Sequence, residues 1–197
     1  MRTNAKMQPV SASPDITHPL QPFARSGEGP VRALVASAAR DGEAGLRFRY
    51  VLDADLGALR IPALRSPLPA DELWKHTCFE AFIAGASHGD EYRELNFSPS
   101  TEWAAYSFDG YRKGMAALAL LAAPRIEVTR SGTQLVLEAR VGAQGLLPET
   151  WHAPGAKLRI ALSAVLEDES GRMAYWALKH APDKPDFHHA AGFILEV

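Results

Sequence analysis

Between positions 71 and 112 the chain reads DELWKHTCFEAFIAGASHGDEYRELNFSPSTEWAAYSFDGYR, and aromatic and hydrogen-bonding side chains are denser here than elsewhere. Trp74, Glu80, Glu94, Asn96 and Arg112 are the residues in this run whose types suit recognition or catalysis. A flat indole such as that of Trp74 suits the apolar face and C–H groups of a pyranose ring, and it would equally well fill a core. Glu80 and Glu94 can hydrogen-bond vicinal hydroxyls. They could also serve as the carboxylate pair of a glycoside hydrolase, which stand about 5–5.5 Å apart in retaining enzymes and wider in inverting ones. The structural alternative is that Arg93, Arg112 or a backbone amide satisfies each of them. Asn96 suits a cap on the turn into Ser98-Pro99-Ser100, and Arg112, which follows Asp109-Gly110-Tyr111, suits an ion pair.

These residues must be positioned by strands. In Leu46-Arg47-Phe48-Arg49-Tyr50-Val51-Leu52 apolar residues alternate with polar ones, the period of a half-buried strand. Asp53-Ala54-Asp55-Leu56-Gly57 then supplies a turn. Further strands are expected over Cys78 to Ala84, Tyr92 to Phe97, Trp103 to Phe108, Ile126 to Arg130, Leu135 to Val141, Leu158 to Leu166, Met173 to Leu178 and Phe193 to Val197, with Ser131-Gly132 as a hairpin turn. Parity puts Cys78, Glu80 and Phe82 on one face of their strand, and Tyr92, Glu94 and Asn96 on one face of the next. If the two strands pair across residues 85 to 91, Glu80 lies opposite Asn96 with Glu94 diagonal to it. A carboxylate set among apolar neighbours then needs a partner, because burying a lone charge costs several kcal/mol, on the order of the usual estimates.

Many short alternating runs separated by Gly, Pro, Asp and Asn point to an all-β sandwich or barrel. Residues 1–30 read as a flexible leader or a strand that wraps late, and residues 31–197 as one domain. The Ala- and Leu-rich stretch from Gly114 to Ala123 fits either a short helix stopped by Pro124 or an extended crossover. An apolar share of 47% with 22% charged residues is that of an ordinary globular chain. Lys and Arg number 21 against 23 Asp and Glu, without blocks of like charge, so neither nucleic acid nor a membrane surface is expected as a partner. Cys78 is the single cysteine, which excludes an internal disulfide and a thiolate zinc cluster. The N-terminal run lacks the apolar stretch of about 7–15 residues that a secretory signal needs, and a cytoplasmic setting is expected.

The run Trp74-Lys75-His76-Thr77-Cys78-Phe79-Glu80, followed by Tyr92-Arg93-Glu94-Leu95-Asn96-Phe97-Ser98-Pro99-Ser100, resembles the DOMON-like and family 9 carbohydrate-binding-module superfamily. Tyr175-Trp176-Ala177-Leu178-Lys179-His180 with Lys184-Pro185-Asp186-Phe187-His188-His189 looks like the closing segment of the same family, so the resemblance spans residues 30–197. Segments 71–112 and 173–193 are the ones more specific to the DOMON-like branch. The resemblance implies a two-sheet antiparallel β-sandwich, jelly-roll-like, with a cleft at one side where Trp74 stacks on a ligand and Glu80 hydrogen-bonds it. A second aromatic closes the clamp in the sugar modules, and Trp176 or Phe187 is its counterpart. Where those modules carry an arginine on the next strand, this chain has Glu94, so their ligand preference does not carry over.

Some DOMON relatives bind haem through an axial methionine and histidine, for which Met115, His76, His180, His188 and His189 are available. No Cys-x-x-Cys-His attachment motif is present, and adjacent His188 and His189 would point to opposite faces if they lay on a strand. Phosphate-cradling glycine loops, nucleophile elbows and two-histidine zinc motifs are also missing. The expected function is therefore a non-catalytic binding module for a small carbohydrate or polyol. Its ligand contacts are drawn from Trp74, Glu80, Glu94, Asn96, Arg112, Trp176, His180, Phe187 and His188, and no resident cofactor or metal is expected. A b-type haem protein for electron transfer or sensing is the alternative, and a hydrolase using Glu80 and Glu94 the third reading; a protein partner is compatible with any of them.

Overall fold

The computed structural model describes residues 16–23, 29–42, 45–86, 89–151 and 155–197. Burial along β4 (Gly45–Ala54) shows how the sandwich is built: Leu46, Phe48, Tyr50, Leu52 and Ala54 are buried, and the residues between them are partly exposed. One face meets the core and the other meets water. β10 (Gln134–Gly142) repeats the pattern with Leu135, Leu137, Ala139 and Val141, and lies between β4 and β9 (Arg125–Ser131). Gly132, at φ 57°, makes the expected hairpin turn between β9 and β10, in a left-handed conformation that costs glycine little.

β3 (Val31–Arg40) and β1 (His18–Pro19) complete a five-stranded sheet in the order β1-β3-β4-β10-β9. β3 is absent from the strands expected above. Its run VRALVASAAR is rich in alanine, so few large side chains mark the period, although Leu34 and Ala36 are buried as a strand requires. β1 hydrogen-bonds β3, while β2 (Gln21–Pro22) hydrogen-bonds β12 (Met173–Ala177) of the opposite sheet, with buried Leu20 between them. This part of the first thirty residues therefore wraps both sheets; the leader expected before it lies outside the described residues.

The second sheet runs β2-β12-β11-β5-β6-β7-β8, with β13 (Leu195–Glu196) also paired to β11 (Leu158–Glu167). Its centre is β5 (Cys78–Gly85), β6 (Tyr92–Phe97) and β7 (Trp103–Phe108), and β8 is the short Ala116–Ala117. The stretch from Gly114 to Ala123 thus forms no helix: β8 pairs with β7, and Leu118 and Leu120 pack on the core. The final strand is shorter than expected because the 3-10 turn Ala190–Gly192 precedes it.

Every residue of β5 is buried. Phe79, Ala81 and Ile83 face the core between the sheets with Leu95 and Phe97, while Phe82, Tyr92, Ala104, Tyr106 and Phe108 form a separate apolar cluster. Trp74, Phe187 and Phe193 pack on that second cluster from outside the strands. The larger sheet is therefore covered on both faces, and its outer face carries the polar residues singled out above.

Candidate ligand-binding site

The β5–β6 register sets Glu80 opposite Asn96 and Phe82 opposite Glu94, as strand parity requires. Glu80, Glu94 and Asn96 therefore share the outer face, with accessibilities of 3%, 4% and 0%. Asn96 Nδ2 donates to Glu94 Oε1 at 2.8 Å, and the Cys78 thiol donates to Asn96 Oδ1 at 3.7 Å. From the core side, the Tyr50 hydroxyl donates to the backbone oxygen of Glu80 at 2.7 Å. Glu80 Oε1 is buried and has no hydrogen-bond partner among the described residues.

Two irregular segments close over this face. In the turn after β7, Arg112 adopts φ 54° and its backbone N–H donates to the Tyr92 hydroxyl at 3.2 Å. Its guanidinium donates through Nε and a terminal nitrogen to Asp186 Oδ1 at 3.2 and 2.7 Å, and the Tyr111 hydroxyl donates to Asp186 Oδ2. Burial works against the Asp186 charge, but the bonds from Tyr111 and Arg112 outweigh it and hold the carboxyl below its ordinary range. These bonds fasten the segment after β12 to the turn after β7.

The same segment carries His188. Its Nδ1 lies 2.8 Å from the Tyr92 hydroxyl, which already accepts from the Arg112 N–H. On the other side of the ring, Nε2 lies 3.9 Å from Glu94 Oε2. Burial and the nearby Arg112 charge push the imidazole down to about 4. The carboxyls move the other way. Burial raises Glu94 to about 7 against the pull of Asn96 and Arg112, while burial and the neighbouring Glu94 raise Glu80 well above its ordinary value. The Cys78 thiol, pushed up by burial and by both glutamates, is no nucleophile.

A cavity of about 370 Å³ opens here, lined by Trp74, Glu80, Glu94, Arg112, Phe187 and His188, with Phe108 and Tyr175 adding aromatic surface. Trp74 is partly buried in the 3-10 turn Leu73–Lys75 and meets Tyr106 edge-on, with ring centroids 5.6 Å apart. Asn96 stands behind the lining, bonded to Glu94. Two other candidates lie elsewhere. Trp176 packs into the main core, because its position on β12 opposite Ala164 turns it inward and leaves Tyr175 on the cavity side. His180 bonds the backbone oxygen of Gln21 at 2.8 Å and packs its ring against Phe23. Tyr175 and Phe108 were missed because an aromatic on an alternating strand reads the same whichever face it takes.

Met115 and His188 line this cavity together, but they do not fit a haem. His188 has one nitrogen engaged by Tyr92 and the other turned to Glu94, and Met115 is half exposed. The other three histidines considered as axial ligands are committed elsewhere: His76 to Glu167, His180 to Gln21, and His189 to the Ala191 N–H.

No protein-family model and no curated protein matches the chain. Among solved structures, a proposed carbohydrate-binding protein of Bacteroides uniformis ATCC 8492 superposes with a TM-score of 0.68 at 13% identity, over 91% of this chain and 84% of that one. This chain shares its β-sandwich fold. The two-sheet antiparallel architecture expected from the family 9-like resemblance is thus the one found. Family 9 carbohydrate-binding modules of Caldicellulosiruptor kristjanssonii in complex with cellotriose and with glucose align with TM-scores of 0.46 and 0.41 at 12% and 13% identity. Those alignments cover 84% and 79% of this chain and 73% and 70% of theirs.

Proposed function

We propose that this chain is a non-catalytic module that binds a small carbohydrate or polyol in the cavity beside Trp74. The observation that carries the reading is a single one: a cavity of about 370 Å³ joins an indole to a buried glutamate oxygen that has no hydrogen-bond partner among the described residues. Such volumes suit a small ligand, and a few convergent polar groups in an aromatic setting are what orients one. Ligand hydroxyls would supply the hydrogen bond Glu80 lacks while the ring lies on Trp74. The DOMON-like motifs in segments 71–112 and 173–193 and the shared β-sandwich fold agree with this reading. A cytoplasmic setting belongs to the same proposal and suits the lone buried thiol of Cys78.

Binding is favoured over hydrolysis by the charge states. A glycosidase needs its two carboxyls driven apart, one kept protonated and one ionised. Here burial raises Glu80 and Glu94 alike, and neither is held below the ordinary carboxylate range as a ready nucleophile would be.

Tryptophan fluorescence tests the site. Trp103, Trp151 and Trp176 are buried, so a ligand-induced change should come from Trp74. Titration with glucose, cellobiose and sorbitol is expected to quench the emission for at least one of them, and Trp74→Ala is expected to abolish both the quench and the accompanying rise in melting temperature. Binding that survives unchanged in the variant would refute the site.

A further inference from the structure

We infer that the ligand of this site carries a protonated amine, seated against Glu80 and Glu94, with its hydroxylated remainder along the aromatic surface. This rests on the binding reading above and narrows its ligand class to amino sugars and amino polyols.

Two buried carboxyls meet in this cavity without a paired countercharge among the described residues. Glu80 and Glu94 are both more than nine-tenths buried and line one cavity, and Glu94 is near enough to raise the cost of ionising Glu80. Among the described residues neither is paired with a lysine or arginine. Arg112, the guanidinium at the cavity, eases the ionisation of both through space, but its two side-chain hydrogen bonds go to Asp186. His188 presents Nε2 to Glu94 at 3.9 Å, but its ring is neutral above about 4. Asn96 contributes one neutral hydrogen bond to Glu94, and Glu80 Oε1 receives none from the described residues.

A neutral hydroxyl would meet one acceptor and leave the charge. An ammonium group brings three donors and a positive charge to two adjacent carboxylates, and is the small organic group that answers both needs. The surroundings agree, since Trp74, Phe108, Tyr175 and Phe187 line the same cavity, and aromatic faces attract cations. A metal ion suits the site poorly, because no group of three or more His, Cys, Asp or Glu able to hold one occurs among the described residues.

Titratable groups near these carboxyls include Cys78 on β5, Tyr92 on β6, Tyr106 with Asp71, Tyr111 and Arg112 after β7, Tyr175 on β12, and Asp186 with His188 after it. Burial keeps Cys78 and Tyr92 protonated near neutrality, so the two glutamates and the ligand amine set the pH response there.

Matched pairs read this out by calorimetry: glucamine against sorbitol, and glucosamine against glucose. An alkylamine titrates near lysine's value of about 10, so glucamine stays charged throughout. It is expected to bind at least about ten-fold more tightly than sorbitol at about pH 8, above the value of about 7 at which Glu94 titrates, and within about two-fold at about pH 5, below it. Glu80→Gln removes a buried ionisable group and should keep or raise the melting temperature while abolishing most of the ten-fold preference. Equal affinities within both pairs at about pH 8 would overturn the amine inference and leave the polyol site standing. Failure of all four compounds to bind would overturn both readings, and an amine preference undiminished in folded Glu80→Gln would overturn the role of the carboxylates.

Discussion

Replacing Trp151 by alanine is expected to lower stability by about 3–5 kcal/mol, the range for truncating a large buried aromatic. Trp151 is fully buried, and a Cβ added to Gly85 would lie 2.8 Å from its Nε1, so the indole sits directly against the backbone at the end of β5. The Arg93 guanidinium stands 5.0 Å from the indole centroid and reaches on to the carbonyls of Leu146 and Tyr92. Truncation leaves a cavity beneath both strands and removes the surface that Arg93 rests on. Urea unfolding should show the loss as a lower midpoint with unchanged slope, and heating as a fall of roughly 6–20 °C for a domain of this size. Gly85→Ala should cost about 1–3 kcal/mol by overpacking the same contact. Combined with Trp151→Ala it should cost clearly less, because the obstructing ring has gone. Additive losses would mean the two positions do not meet.

Glu94→Gln is expected to stabilise the protein above about pH 7 by on the order of 3 kcal/mol, with the gain vanishing below about pH 4.5. The folded carboxyl titrates at about 7, raised from 4.5 chiefly by burial. Between those values the folded state binds more protons than the unfolded chain, so this group's contribution falls as pH rises and the penalty is complete above 7. Glutamine keeps an oxygen for Asn96 and removes the penalty. His188 acts in the opposite sense. Its folded value of about 4 lies below the ordinary 6.5, so the unfolded chain takes up the proton first as pH falls through that window, and stability is lost toward acid. His188→Gln should therefore be the more stable form below about pH 4 and equal to the parent above about pH 6.5. Melting curves of the three proteins between pH 3 and 9 check both signs. A Glu94→Gln gain that stayed constant across that range would show the carboxyl to be unperturbed.

The outer-face cluster was legible before any coordinates because parity is local. Glu80 and Phe82 point the same way on one strand, and Glu94 and Asn96 on the next, whatever covers them. The same rule could not choose between Tyr175 and Trp176. Adjacent residues take opposite faces, and which face met the core depended on the pairing of β12 with β11 and β2. β3 escaped notice because alanine carries too little apolar surface to mark its period, and the stretch from Gly114 to Ala123 because its composition fits helix and crossover alike.

The sequence by itself determined the all-β class, the bounds of most strands and the sharing of one face by Glu80, Glu94 and Asn96. These follow from a two-residue period and from turn chemistry, which act over a few neighbouring residues. Only the tertiary structure decided that this face is enclosed, that Trp74, Phe187 and His188 close around it, and that Arg112 is taken by Asp186, 74 positions further on. Those contacts join irregular segments remote in the chain. Burial and countercharge, which set the ionisation of Glu80 and Glu94, exist only once such segments have packed together.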